Sequence, residues 1–264
     1  MSDIKNILQR ISTNLNTDKK ITEHQLSAEI ELADLKSHDN FKKNKGKVLI
    51  TAGPTFERID DVRYIGNFSS GKMGFALAQT SLEHGFETVL ITGPVSLQTS
   101  KNIKRIDIES AHDMYEAVHR EFSDSQITIM SAAVADFTPI NKFNGKLKKQ
   151  EIGENLILEL KPTQDILSSL GKIKSEKQFL VGFALESRNE IDYGRKKLID
   201  KNCDMIVVNS ANKPQSGFQG DFNTISILTR FEPEDFKVDN YEAMTKKKCA
   251  EIIFDKILEV YKFK

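Results

Sequence analysis

Lys47-Val-Leu-Ile-Thr-Ala-Gly-Pro-Thr55, then Asp61-Val-Arg-Tyr-Ile-Gly-Asn-Phe-Ser-Ser-Gly-Lys-Met-Gly74 and Phe75-Ala-Leu-Ala-Gln-Thr-Ser-Leu82, reads as strand, long loop and helix. The β-branched run ending at Thr51 favours a strand, and Ala52-Gly-Pro-Thr55 stops it. The apolar residues after Gly74 recur at helical spacing. The start of that helix is built from Ser69, Ser70, Gly71 and Gly74. Such an end offers unpaired N–H groups and the positive pole of the helix dipole, so it suits a phosphate. Arg63, Asn67 and Lys72 add polar groups that a plain turn does not need.

Two nucleotide motifs nearly fit. Gly66 to Lys72 matches G-x-x-x-x-G-K, but Met73 follows where a P-loop needs a hydroxyl for magnesium, and a P-loop follows its strand directly. The Rossmann G-x-G-x-x-G is missing: Gly71 and Gly74 supply only its second half, and no acidic residue clearly closes the next strand, Thr88–Thr92.

Outward from this unit, apolar strands at 47–51, 87–92, 103–107, 126–130, 178–184, 204–208 and 223–228 alternate with helices near 72–84, 111–122, 164–173 and 187–201. A last helix is expected over about 240–261. The alternation predicts an α/β fold, a Rossmann-like three-layer sandwich with a mostly parallel sheet. Ligands of such sheets bind beyond the carboxyl ends of the strands. Ala52-Gly-Pro-Thr55, Gly93-Pro-Val-Ser96, Ala132-Ala-Val-Ala-Asp136 and Gly182-Phe-Ala-Leu-Glu186 all follow or close a strand, so they converge on one crevice.

Residues 1–46 read differently. Ile4, Leu8, Ile11 and Leu15, then Leu26, Ile30, Leu32 and Leu35, predict a helical N-terminal extension, joined by the charged linker Lys42–Gly46 to a nucleotide-binding domain over 47–264. Zero net charge argues against a nucleic-acid surface. No apolar run is long enough for a membrane span, and the N-terminus lacks a secretory layout. Cys203 and Cys249 do not make a disulfide framework and are expected as packing residues in a reducing cytoplasm. No Cys/His spacing builds a zinc site, and the five histidines read as surface or packing residues.

Asp136 to Lys149 has no periodicity and is rich in Asn, Gly, Pro and Lys. With a strand expected at Asn155–Leu160, it is either a hairpin arm or a loop. Lys146, Lys148 and Lys149 suit a flap over an anionic substrate, and equally a solvated basic loop.

Together these motifs resemble one family, phosphopantothenate–cysteine ligase (phosphopantothenoylcysteine synthetase), in a stand-alone bacterial-type form. The resemblance runs over about 47–262 and rests on Ile50–Thr55, Val62–Ala76, Thr92–Leu97, Ala132–Phe137, Lys146–Lys149, Val181–Glu186, and Gly217-Phe218 with Asp221 and Asn223. It implies ligation of L-cysteine to 4′-phosphopantothenate, driven by a nucleoside triphosphate through an acyl-nucleotide. It further implies that Asn67 holds that intermediate, Arg63 binds substrate anions and Lys146 closes over the site. Ser69, Ser70 and Gly71 take the phosphate of phosphopantothenate. Gly53, Ala132, Ala133, Ala135, Asp136, Asp165, Ile166 and Phe183 meet the nucleotide, with Phe183 flanking the base. Lys197 and Lys201 share a helix face, where like charges repel by about a few tenths of a kcal/mol, so a triphosphate between them is favoured over a structural role. Magnesium is expected through the triphosphate, with no metal site on the protein. Lys161-Pro-Thr-Gln-Asp-Ile166 departs from the family's Asn-Pro-Asp-Ile pattern at Thr163 and Gln164. CTP is expected ahead of ATP, and a homodimer is expected, with residues 223–228 and the Gly93–Leu97 loop as its surface. The competing readings are an NAD(P)-dependent oxidoreductase on the same sheet and a non-catalytic module that has kept the fold.

Overall fold

Strand β1 (Lys47–Ala52) is buried along its whole length. Its alternate side chains feed two cores: Val48, Ile50 and Ala52 one face, Leu49 the other. This is the pattern of a parallel strand covered on both sides. The computed structural model describes residues 45–148, 150, 155–186, 189–210, 220–231 and 235–261. Apart from Lys45 and Gly46, the expected N-terminal extension lies outside them, as do Lys149, Gly217 and Phe218.

After β1 come a hairpin, β2 (Phe56–Arg58) and β3 (Tyr64–Gly66), and helix α1 (Lys72–Glu83). Then follow β4 (Glu87–Thr92), β5 (Lys104–Asp107), α2 (Ala111–Phe122), β6 (Ile127–Met130) and β7 (Phe137–Pro139). The second half holds β8 (Leu160–Pro162), α3 (Ile166–Ile173), β9 (Phe179–Glu186), α4 (Glu190–Asp200), β10 (Met205–Ser210), β11 (Phe222–Arg230), β12 (Phe236–Thr245) and α5 (Lys246–Val260). Eight strands form one sheet in the order β12-β11-β10-β9-β6-β1-β4-β5. All neighbours from β10 to β5 are parallel, and β11 and β12 are antiparallel. Helices α1 and α5 supply Leu77, Ala78, Ile253 and Phe254 to one core. Helices α2, α3 and α4 supply Met114, Leu170 and Leu198 to the other. The expected Rossmann-like α/β sandwich is what the chain forms.

The topology fixes the site. From β1 the chain moves outward through β4 and β5, then returns to β6 on the other side of β1. The strand order reverses between β1 and β6, and a crevice opens there at their carboxyl ends.

Four expectations change. The last helix does not begin near 240: residues 236–245 are the edge strand β12, paired with β11. Thr245 starts the helix instead, its side chain accepting the Lys248 N–H at 3.2 Å. A lone antiparallel β11 would leave a row of unpaired backbone groups, and β12 takes them up. The strand expected at 155–160 is confined to Leu160–Pro162, which pairs antiparallel with Phe137–Pro139 and makes the basic segment a hairpin arm. The β2–β3 hairpin was not legible; Phe56 and Tyr64 stack across it at 3.8 Å. The proposed dimer surface at 223–228 is core, because β11 lies inside the sheet with Ile225, Ile227 and Leu228 almost fully buried.

Cys203 and Cys249 are buried and unbridged, as expected. His84 stacks on Phe254, and His119 bonds the Tyr115 carbonyl and the Ser169 hydroxyl, both packing roles. Among the described residues no helix is long and apolar enough to cross a membrane.

Candidate active site

Beyond the sheet, the chain after β6 runs beside the chain after β1. Ala133 N–H donates to Gly53 O at 2.9 Å, Thr55 N–H to Ala133 O at 3.3 Å, and Ala135 N–H to Thr55 Oγ1 at 2.9 Å. Gly53 is left-handed, with φ of 72°, so the turn needs a residue without a side chain. Thr163, one of the two departures from the family pattern, bonds the same strip. Its hydroxyl donates to Ala135 O at 2.7 Å and its N–H to Asp136 O at 2.9 Å. Asp136 is exposed at the end of the strip.

Helix α1 points its N-terminus at this strip. Gly71 is its N-cap, left-handed with φ of 77°, and no side chain caps the first turn. Gly74 brings the helix down onto the strand ends: a Cβ there would lie 2.5 Å from Ala52 Cβ and 2.8 Å from Ser131 Oγ. The result is an open cleft of about 110 Å³, lined by Ser69 to Gly74, Ser131 to Ala133, Phe183 to Leu185, Asn209, Asn223 and Lys246. Of the residues singled out from sequence, Ser69, Ser70, Gly71, Ala132, Ala133 and Phe183 line it together.

Others stand one bond away. Asn67 Nδ2 donates to the carbonyls of Ala133 at 3.2 Å and Val134 at 3.0 Å. Lys197 Nζ donates to Phe183 O at 2.8 Å. Asn67 and Lys197 therefore hold two walls of one cleft. Lys201 pairs with Asp165 at 2.6 Å, and Asp165 caps α3 by accepting the Ser168 N–H at 2.9 Å. Burial disfavours the Asp165 carboxylate, but Lys201 and the Ser168 N–H outweigh it and hold its pKa below the usual range. The two lysines thus have structural partners, which the like-charge reading did not anticipate. The Ile166 side chain belongs to the core beside α2 and does not line the cleft.

Arg63 and the arm meet through a residue that sequence reading missed. Asp60, 2% exposed, accepts the N–H groups of Val62 and Arg63 at 2.7 Å and of Leu147 at 3.1 Å, and pairs with the Arg63 guanidinium. Its burial raises the carboxyl's pKa, and these N–H donors with Arg63 more than reverse that, leaving it lowered. Arg63 also donates to Leu147 O at 3.3 Å, so it is tied to the arm next to the exposed Lys146.

Lys246 and Asn209 were missed as well. Lys246 falls inside the helix expected over about 240–261, whereas the helix begins with it; the Thr245 cap is the available signal. Asn209, with Ser210, ends the otherwise apolar β10 at the carboxyl edge of the sheet, a position the strand-end rule covers. Lys72 pairs with Asp221 at 2.6 Å and lowers that carboxyl's pKa. Among the described residues no cluster of three or more His, Cys, Asp or Glu could hold a metal ion.

Residues 43–261 match the family model described as the DNA/pantothenate metabolism flavoprotein C-terminal domain. The chain is 50% identical over 182 residues to the coenzyme A biosynthesis bifunctional protein CoaBC of Bacillus subtilis strain 168, covering 69% of this chain and 44% of that protein. It is 45% identical over 216 residues to a cysteine/cysteine sulfinic acid decarboxylase of an unknown prokaryotic organism, covering 81% of this chain and 58% of that one. The chain therefore spans about half the length of these curated relatives. Among solved structures, the C-terminal domain of a CoaBC protein superposes with a TM-score of 0.67 at 37% identity, covering 81% of this chain and 94% of that domain. This chain belongs to the DNA/pantothenate metabolism flavoprotein C-terminal domain family.

Proposed function

We propose that the chain is a phosphopantothenate–cysteine ligase of coenzyme A biosynthesis, using CTP through an acyl-cytidylate. The observation that carries this reading is the cleft at the β1/β6 switch point. The phosphate-binding helix start, the Ala132–Ala133 strip and Phe183 meet there, with Asn67 and Lys197 bonded to its walls. Family membership supports it.

In the first step a carboxylate oxygen of 4′-phosphopantothenate attacks the α-phosphorus of CTP, and pyrophosphate leaves. In the second, the cysteine amine attacks the activated acyl carbon. The C–N bond forms, the acyl–oxygen bond breaks, CMP leaves with the electron pair, and the amine proton passes to solvent. Ser69, Ser70, Gly71 and the first-turn N–H groups of α1 take the substrate phosphate. Asn67 turns its amide from the strip carbonyls to the acyl-nucleotide. Lys146 closes with the arm, stabilising charge and excluding water. Lys197 and Lys201 exchange the Phe183 carbonyl and Asp165 for the triphosphate, Asp136 and its strip meet the nucleotide, and Phe183 flanks the base.

Magnesium belongs with the phosphate oxygens and water of the triphosphate, and no step here is routed through it. A homodimer in the cytoplasm completes this reading.

Product analysis with CTP, ATP, GTP and UTP side by side tests it. The expected products are phosphopantothenoylcysteine, pyrophosphate and the nucleoside monophosphate, formed fastest with CTP. Absence of the amide product with all four nucleotides would overturn the proposal; faster turnover with ATP would overturn only the choice of base.

A further inference from the structure

Asp60 makes more bonds than its own turn needs. Its Oδ1 accepts the N–H groups of Val62 and Arg63, both at 2.7 Å, which is what an aspartate opening a tight turn ordinarily does. Its Oδ2 takes no part in that turn. It accepts the Leu147 N–H at 3.1 Å, from 87 residues further along the chain, and the Arg63 guanidinium. The Asp60 side chain has no exposed surface. A carboxylate is tolerated in such a place only where its lone pairs are filled and its charge is matched. Three backbone N–H groups and one guanidinium do both.

Leu147 is gripped from two sides. Asp60 takes its N–H, and the Arg63 guanidinium donates to its carbonyl at 3.3 Å. One ion pair thus holds both backbone polar groups of one arm residue. Phe143 adds a second tie, its N–H donating to Ile59 O at 2.9 Å. Between the two ties Gly145 is left-handed, with φ of 76°, and a Cβ there would meet nothing within 4 Å. The backbone therefore turns in open space just before Lys146, and the grip on Leu147 just after it fixes where the lysine stands. On the other side of the turn, β3 runs from Arg63 toward Asn67, whose amide bonds the strip beside the cleft.

We propose that Asp60 is a positioning residue: it ties the arm to the β2–β3 turn and so sets Lys146 and Arg63 together for the reaction. The inference rests on the ligase reading, in which those two cations meet anions, and it gives Asp60 no contact with substrate. The task calls for a carboxylate. Both of its oxygens accept, whereas an amide has one acceptor and would turn its NH₂ group either to the Leu147 N–H and the guanidinium or to the turn.

Two variants cut the tie from opposite ends. Asp60→Asn keeps the shape of the side chain and loses its charge and one acceptor. Leu147→Pro removes the N–H from the arm and leaves Asp60 as it is. Hydrogen exchange of the full chain, read over residues 140–148, measures the tie without substrate. Steady-state kcat is measured for each variant alone and combined with Lys146→Gln. Each variant should speed exchange of the arm by about tenfold or more while β1 and β6 keep their protection. Each should lower kcat by about tenfold or more, as expected when a reacting group is misplaced. Because the loss runs through Lys146, the combined loss should fall short of the product of the single losses by more than about threefold, whereas a merely structural weakening would multiply. If Asp60→Asn fails to melt cooperatively, Leu147→Pro carries the test. Arm exchange within about threefold of the unmodified chain, or losses that multiply to within about threefold, would overturn the positioning role alone. An unmodified chain that forms no phosphopantothenoylcysteine with any nucleotide would overturn the ligase reading and the role with it.

Discussion

Asn67 is exposed, yet its side-chain amide donates to two carbonyls of the strip beside the cleft. Asn67→Asp replaces a donor by a carboxylate facing two carbonyl oxygens and, in the proposed reaction, an anionic intermediate. It should reduce kcat by about a hundredfold or more, in the range of lost oxyanion donors. Melting should fall by only a few degrees, because exposed hydrogen bonds contribute about 1 kcal/mol each. Steady-state kinetics and a melting curve check the two halves. Lys201→Met tests the neighbouring pair. The lowered pKa of Asp165 means its stabilising contribution is present above the unfolded carboxyl value of about 3.9 and is lost as pH falls through and below it. Half-exposed as the pair is, the variant should lose no more than about 1 kcal/mol at neutral pH in urea unfolding, and the gap should narrow as pH falls below the ordinary carboxylate range. At this scale the sequence revealed residues carried by motifs, such as Asn67 and Gly71. It did not reveal Asp60 or Lys246, because their importance comes from what surrounds them: three N–H groups brought from two segments, and a cleft wall supplied by a helix whose start was misplaced.

Helix α1 and its glycine show why elements matter more than the motif letters. The proposed phosphate-binding end reaches the crevice only because Gly74 lets α1 approach β1 and β6. Gly74→Ala places a methyl against Ala52 and Ser131, neither at the end of a flexible chain. It should destabilise the fold by about 1–3 kcal/mol, the range for overpacking, and weaken phosphate-bearing substrates as the helix backs away. Thermal melting and substrate KM values measure both. Strands and helices of the parallel half were legible because their patterns are long and their hydrophobic periods clear. The β2–β3 hairpin was not, since three-residue strands are too short to show a period. The second half of β12 falls within the helix expected from about 240, and the signal against that helix start is Thr245, a cap inside an apparently continuous polar-apolar run.

At the largest scale, the described residues of the domain form a sheet whose two faces are covered by helices, with a cleft at the carboxyl ends of its strands. Burial pushes Cys203 up to about 12 and Cys249 up to about 11. Neither thiol presents a thiolate at neutral pH. A chromogenic disulfide reagent should therefore label neither cysteine in the native chain and both after denaturation; rapid native labelling would mean that the cores open far more readily than this packing allows. The crevice at the β1/β6 reversal was inferable only in part. The strand-end turns pointed to one edge, while the strand order that brings 53–55 beside 131–136 arises from long-range pairing that no local pattern records. No observation favours the nicotinamide-dependent alternative.

The central claim is that this edge builds an acyl-nucleotide before cysteine reacts. Exchange of labelled pyrophosphate into CTP, measured without cysteine, tests it most directly. The account predicts label in CTP only when 4′-phosphopantothenate is present; exchange that ignores phosphopantothenate, or none at all under conditions where the complete reaction turns over, would contradict it.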